Sequence, residues 1–326
     1  MYRNIMVPTD GSGFDREAIR VALRLAERSE AKIRLVRVLP RGSLFGLAAA
    51  AEGTSVATDV VRSERDKALS ELYALAAECR AMTDAEVGVD LHAGPVTDVL
   101  EGYAKRHEFD LIVMSTHGRT GLSRLAWGSV TESLVRHTAI PVLVVKPPSR
   151  YLNPRVTEKF DRILVPLDGS PLAEQALPRA VEMARLDGAA IILLRVITPQ
   201  AYPPRAIVDP HPSWLDKQIS HAEHYLFDVA EKIRAQNIPT MTDIVVSENV
   251  IGAIIDFAAR QRVQVIAIAT HGRGGVTRVL YGSVAEALMH SANACVLVQR
   301  PQTVEPNTAP ATRESAPGRS IAQSFA

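Results

Sequence analysis

The chain has 326 residues, 47% of them apolar, and a formal net charge of +1 at pH 7. That length suits two domains of ordinary size, and the balanced charge argues against a nucleic-acid or anionic-membrane binder, which needs a basic face. Its two cysteines, Cys79 and Cys295, share no CxxC or Cys/His ligand spacing, so neither a disulfide framework nor a structural zinc site is expected. A reducing cytoplasm is the expected compartment. The opening MYRNIMVPTDGS meets Pro and Gly too soon for a signal peptide, and no apolar run approaches the roughly 18 residues of a membrane span.

Taken in chain order, short Val-, Ile- and Leu-rich runs alternate with segments at helical spacing. Strands are expected at Arg3–Val7, Lys32–Val38, Glu86–His92, Leu111–Ser115 and Val142–Val145. Helices are expected between them at Phe14–Arg28, Thr58–Met82, Thr97–Arg106 and Val130–His137. The strands read apolar throughout rather than alternating, as strands of a parallel sheet covered on both faces do. Strand–helix alternation then implies right-handed crossovers and a doubly wound α/β sheet. Lys146–Phe160 is proline-rich, charged and poor in apolar residues, as a linker is.

After it the pattern repeats. NIMVPTDGS at Asn4–Ser12 returns as RILVPLDGS at Arg162–Ser170, and DLIVMSTHGR at Asp110–Arg119 as QVIAIATHGR at Gln264–Arg273. GSVTESLVRH at Gly128–His137 returns as GSVAEALMHS at Gly282–Ser291, and PVLVVK at Pro141–Lys146 as CVLVQR at Cys295–Arg300. A period of about 155 residues is far too long for a solenoid, so the chain is a duplicated domain. The expected division is residues 1–147, a linker over 148–159, residues 160–300, and a disordered tail over 301–326, where apolar content falls away. The long loops Pro40–Ala57 and Thr198–Pro212 follow the second strand of each copy and share no pattern.

Five strands of this kind allow the orders 2-1-3-4-5 and 3-2-1-4-5. In the second, ligands bind beyond the carboxyl ends of strands 1 and 4, where the order switches. Polar and glycine-bearing residues gather there: Pro8-Thr9-Asp10-Gly11-Ser12 after strand 1, and THGRTGLSRLAWGS at Thr116–Ser129 after strand 4. Gly118 and Gly128 permit close approaches, and Gly128-Ser129 opens a helix whose first N–H groups are unpaired and suit phosphate. Arg119 adds charge-assisted donors; Asp10 suits a ribose hydroxyl or a purine amino group. Copy 2 offers Thr270–Ser283, THGRGGVTRVLYGS, on the same plan. The GxGxxG signature is absent after strand 1, so a dinucleotide enzyme is not expected.

A helix cap accounts for part of this without any ligand. Ser129-Val-Thr-Glu132 and Ser283-Val-Ala-Glu286 have the form of capping boxes, with serine accepting from the N3 amide and glutamate reaching back. Phosphate site and helix cap both remain open from the residues alone.

The motifs VPTDGS, MSTHGRTGLSRLAWGSVTESLVRH and PVLVVK, in this order and twice over, closely resemble the universal stress protein family. The resemblance spans about Tyr2–Lys146 and Phe160–Arg300. It implies the strand order 3-2-1-4-5 and a tandem pair of domains joined by their last strands, Val142–Val145 antiparallel to Val296–Gln299 about a pseudo-two-fold axis. Dimerisation of the whole chain stays open. It also implies ATP binding, with Mg2+ or Mn2+ held by the phosphates, through a pattern of Gly, two residues, Gly, nine residues, then Gly and Ser or Thr. Gly118 with Gly128-Ser129 fits, as does Gly272 with Gly282-Ser283; the first glycine is replaced by Ser115 and Ala269. The base and ribose contacts so implied are Pro8, Thr9, Asp10, Val38 and Met114, with Pro166, Asp168, Val196 and Ile268 in copy 2. Phosphate contacts are Gly118, Arg119, Gly128, Ser129 and Val130 with Thr131 beside them, then Gly272, Arg273, Gly282, Ser283 and Val284.

Copy 2 carries Leu167 for Thr9, Ala269 for Ser115 and Ala285 for Thr131, so copy 1 is expected to bind more tightly. The function implied is a stress-response regulator acting through nucleotide-dependent interactions, with a slow ATPase or a ligand-free scaffold as alternatives. No nucleophile–base pair, carboxylate dyad or dedicated metal cage is visible, and His117 and His271 stand without a positioned partner in the sequence.

Overall fold

A computed structural model describes residues 1–40, 55–116, 128–146, 159–199, 212–270 and 283–300. The tail from 301 and all of the expected linker but Lys159 lie outside the described residues.

The first half runs β1 (Asn4–Pro8), α1 (Arg16–Ser29), β2 (Lys32–Leu39), α2 (Ser55–Arg80), β3 (Val87–Ala93), α3 (Val96–Arg106), β4 (Leu111–Ser115), α4 (Ser129–His137) and β5 (Val142–Val145). The second runs β6 (Arg162–Pro166), α5 (Pro171–Glu174), α6 (Leu177–Asp187), β7 (Ala190–Ile197), α7 (Pro212–Arg234), β8 (Thr240–Val246), α8 (Val250–Arg260), β9 (Val265–Ala269), α9 (Ser283–Ser291) and β10 (Cys295–Gln299). These bounds sit close to the expected ones. The halves differ at their first helix: α1 is continuous, whereas its counterpart breaks between α5 and α6. Pro178, at the start of α6, has no N–H to continue the ladder.

All ten strands form one sheet in the order β3-β2-β1-β4-β5-β10-β9-β6-β7-β8. Each half is therefore a parallel 3-2-1-4-5 sheet, and the order 2-1-3-4-5 is excluded. The halves join where β5 and β10 run antiparallel, with Val142 opposite Val298 and Val144 opposite Val296. Two strands that would otherwise be edges thus pair with each other. The two strands of this seam are buried along their length, whereas the true edges are more open: β3 is mostly half-buried, and β8 is exposed over much of its length.

One face of the sheet packs α1, α2, α6 and α7; Ile5, Val7, Leu25, Ala26 and Leu72 lie in that core. The other packs α3, α4, α8 and α9 around Met6, Val36, Ile112, Leu134 and their counterparts. In α1 the buried Ala18, Ile19, Ala22, Leu25 and Ala26 recur at helical spacing and form the stripe that seals β1. No described helix is long and apolar enough to cross a membrane.

Two further devices tie the halves. Each last strand ends in a cation that reaches the carboxyl end of the other half's glycine-loop helix. Lys146 Nζ donates to the carbonyls of Met289 and His290 on α9, and Arg300 donates to that of His137 on α4, the latter at 2.8 Å. Those carbonyls are the orphan acceptors of a helix terminus and carry its partial negative charge. Between α1 and α6, Asp187 is fully buried against Arg24 and Arg28, accepts the Phe160 N–H at 2.8 Å, and lies beside Arg24 stacked on the Phe160 ring.

Candidate functional site

At the carboxyl end of β1 the chain turns through Thr9-Asp10-Gly11-Ser12. Asp10 accepts the Ser12 N–H at 2.8 Å, a two-residue Asx turn. Gly11 sits at φ +75°, a left-handed conformation that only glycine adopts without strain. A Cβ on Gly11 would stand 3.1 Å from Nη1 of Arg37, a buried guanidinium on β2 that pairs with Glu71 at 2.7 Å. The second half repeats the turn: Asp168 accepts the Ser170 N–H at 2.9 Å, and Gly169 lies at φ +83° over Arg195.

Asp168 is exposed, yet partial loss of solvent around its carboxyl disfavours its charge. Hydrogen bonds from the Ser170 side chain and backbone, with Arg195 nearby, outweigh that loss and hold its carboxyl below the usual value.

The strand pairings bring the expected base-site residues together. Ile5 and Met6 of β1 face Leu111 and Ile112 of β4, so continuing the register sets Pro8 beside Met114. Pro8 pairs with Val36 of β2, two residues before Val38. Val38 and Met114 belong to one apolar cluster, with Val130 of α4 packed against it. In the second half Pro166 pairs with Leu194, two residues before Val196, and Ile163 and Leu164 face Val265 and Ile266, setting Pro166 beside Ile268. Val196, Ile268 and Val284 share the corresponding part of that cluster. Ser115 and Ala269 close β4 and β9, both only partly buried.

Where β4 hands over to α4, two hydrogen bonds close the base of the loop. The Gly128 N–H donates to the Thr116 carbonyl at 3.0 Å, and the buried Thr131 hydroxyl donates to the Ser115 carbonyl at 3.0 Å. Gly128, at φ −62° and ψ 127°, occupies the N-cap position and makes no side-chain cap bond. Ser129 is exposed as the first residue inside α4, and Glu132 pairs with Arg136 at 2.5 Å. The expected capping box is therefore not formed: the helix starts one residue earlier than a serine cap requires, and the glutamate turns to the next helical turn instead. The same phase holds in the second half, where α9 begins at Ser283 itself. In α4 the N-cap glycine thus offers the early N–H groups no side-chain acceptor of its own.

Gly118, Arg119, Gly272, Arg273 and Gly282, with His117 and His271, lie outside the described residues. Among the described residues no group of three His, Cys, Asp or Glu side chains is placed to hold a metal ion.

Two features escaped the sequence reading. One is the arginine beneath each turn, hidden because Arg37 and Arg195 interrupt otherwise apolar strands without marking a motif. The other is Asp15. It stands at the N-cap of α1 but caps nothing; its buried carboxylate accepts the Thr9 hydroxyl instead. Burial raises its pKa above the usual aspartate value, Asp10 adds to that, and the Thr9 bond and Arg16 work against it.

Set beside known proteins, the sequence profile of the Universal stress protein family matches residues 1–146 and 159–300. A universal stress protein of Methanocaldococcus jannaschii is 33% identical over 151 residues, covering 46% of this chain and 85% of its own. One of Mycobacterium tuberculosis is 24% identical over 321 residues and covers 91% of this chain and 94% of its own. A solved universal stress protein from Archaeoglobus fulgidus shares the fold at TM-score 0.64 and 19% identity, covering 91% of this chain and 98% of that one.

Proposed function

Because the chain belongs to the universal stress protein family, we propose that it binds ATP at the switch point of each half and acts as a nucleotide-dependent regulator in stress responses. One observation carries the reading: in both halves a Pro-x-Asp-Gly-Ser turn and the start of a glycine-loop helix leave adjacent parallel strands, β1 with β4 and β6 with β9. Two polar elements so placed border the crevice in which open α/β sheets take ligands.

In this reading the apolar end of the crevice, Val38 and Met114 with Pro8, takes the base. Asp10 takes a ribose hydroxyl or an amino group. The N–H groups of Ser129 and Val130, with the Gly128 backbone letting the ligand approach closely, take phosphate, helped by the helix's positive end; Gly118 and Arg119 complete that end. Pro166, Asp168, Val196 and Ile268 act alike in the second half, with Gly272, Arg273, Gly282, Ser283 and Val284 on phosphate. A divalent cation would ride on the phosphates, since the described side chains supply no cluster of their own for it.

The test is direct. Protein purified without added nucleotide is denatured, the released small molecules are identified by mass, and the emptied protein is titrated with ATP by calorimetry. Released adenine nucleotide, or saturable binding below about 1 mM, where binding free energy reaches about −4 kcal/mol, supports the proposal. Neither release nor saturation at that concentration overturns it.

A further inference from the structure

Asp15 poses a problem that the fold alone does not answer. An aspartate at a helix N-cap ordinarily stays near the surface and accepts an N–H of the first turn. This one is only 5% exposed and makes no such bond. Its carboxylate is kept where burial disfavours charge, and a buried carboxylate without a task is costly.

Its contact supplies the task. The Thr9 hydroxyl donates to Asp15 Oδ2, and the same hydroxyl oxygen accepts the Gly11 N–H at 3.2 Å. The Thr9 backbone N–H is meanwhile fixed to the Val36 carbonyl of β2 at 2.9 Å. Asp15, Thr9 and Gly11 thus form one chain of hydrogen bonds, anchored in the sheet and ending at the left-handed glycine directly after Asp10. A threonine hydroxyl has one proton. With that proton committed to Asp15, its oxygen is turned to accept from Gly11, and the turn has a single hydrogen-bonded form.

The second half lacks both side chains. Leu167 occupies the Thr9 position and Ala173 the Asp15 position, while Leu167 keeps the backbone bond to β7, to the Leu194 carbonyl at 2.8 Å. There the Ser170 side chain accepts the Ala173 N–H at 3.1 Å and caps α5, with Pro171 following. The turn is held from the helix side, and Leu167, the residue before the aspartate, has its carbonyl bonded by Arg195 Nη1 at 3.3 Å rather than by any side chain of that helix.

We propose that Asp15 is a positioning residue for the nucleotide site of the first half, acting through Thr9 and Gly11 to hold Asp10 toward the base or ribose, and that the second site works without such a relay. This rests on the nucleotide reading above and deepens it, since it gives a physical reason for the tighter binding expected of the first site.

Hydrogen exchange on the full chain tests both ideas separately, reading the turn at residues 9–16 and that at 167–174 with and without ATP. Without ligand, Asp15→Ala speeds exchange of the Gly11 N–H about tenfold, the scale of one lost hydrogen bond, while Asp15→Asn, which keeps an acceptor for Thr9, leaves it within about twofold. With ATP, Asp15→Ala and Thr9→Val each raise the dissociation constant of the first turn about tenfold, the double variant raises it no further, and the second turn is unchanged. Thr9→Val preserves shape and carries the same test if Asp15→Ala does not fold. Unchanged Gly11 exchange in Asp15→Ala and Thr9→Val, or equal loss of affinity at both turns, overturns the proposal. If the wild-type protein shows no ATP protection at either turn, the nucleotide reading falls, and Gly11 exchange alone then decides whether the relay exists.

Discussion

In the first half the Asp10-Gly11-Ser12 turn is held from below, by a side-chain relay from Asp15 through Thr9. In the second, Asp168-Gly169-Ser170 is held from the helix side, by a serine cap on α5. The backbone outcome is nearly the same: both aspartates accept the N–H two residues on, and both glycines sit near φ +80° over an arginine. What the duplication preserved is the shape of the turn, and what it let drift is the support beneath it. The seam shows the same split. Lys146 and Arg300 clamp the opposite half's helix reciprocally, whereas Asp187, the last residue of α6, has only Ser29 as its counterpart at the end of α1.

That last asymmetry predicts the largest effect. Asp187→Ala strips Arg24 of its buried partner and orphans the Phe160 N–H. Breaking a buried pair on one side costs about 3–5 kcal/mol. Ser29→Ala loses only a hydroxyl bonded to the Leu25 carbonyl, worth about 1 kcal/mol. Denaturant unfolding of the two variants measures the gap; equal losses would mean that the seam is supported symmetrically after all.

Gly11→Ala and Gly169→Ala come next. The left-handed conformation costs any residue with a Cβ about 1–2 kcal/mol at either site. The new methyl meets Arg37 at 3.1 Å but Arg195 at 3.4 Å, which is ordinary contact. Arg37 is also buried and paired to Glu71, so it yields less readily. Gly11→Ala should therefore be the more damaging of the two, both in unfolding free energy and in ATP affinity at its own half.

How much of this was legible beforehand divides along the same line. The strands and the repeat follow from apolar runs and recurring motifs, the choice of 3-2-1-4-5 over 2-1-3-4-5 came only with the family resemblance, and Leu111–Ser115 and Val142–Val145 stand at their expected bounds. A serine and glutamate three apart suggested a cap at Ser129. The helix took Gly128 as its cap instead, a one-residue phase that sequence patterns do not resolve. Asp15 was invisible for another reason. An aspartate before a helix reads as a solvated cap, and only the fold of α1 against β1 turns its carboxylate inward to Thr9. Local rules predict the turn; which side chain supports it is settled by packing between segments.

Thr131 gives a smaller contrast. Its hydroxyl ties α4 to the end of β4 through the Ser115 carbonyl, whereas Ala285 fills that place in the second half with a buried methyl. Thr131→Ala should cost about 1 kcal/mol of stability and loosen the amides of the first turn of α4, read by hydrogen exchange. An unchanged exchange pattern would show that the Gly128 bond to Thr116 suffices.

The smallest expected effect is one of pH. Burial raises the Asp15 carboxyl above its unfolded value, so between those two values the folded chain binds more protons than the unfolded one. Stability linked to Asp15 is then fully present below the ordinary aspartate pKa and is lost as pH rises through the folded value. The groups facing it are Asp10 on the turn, which opposes its charge, Arg16 on its own helix, which favours it, and the buried Cys79 thiol of α2. Asp110 is also raised by burial, despite accepting the Arg3 N–H at 2.7 Å. It has the same sign, so the wild-type profile alone does not isolate Asp15. The difference between wild type and Asp15→Asn does. Because the amide keeps an acceptor for Thr9 and removes the buried charge, the variant should match or exceed the wild type in stability at neutral pH. That advantage should disappear toward pH 3–4, near the ordinary aspartate value. A variant less stable than wild type at pH 7 would mean that the charge itself, rather than the hydrogen bond it accepts, holds the first-half turn.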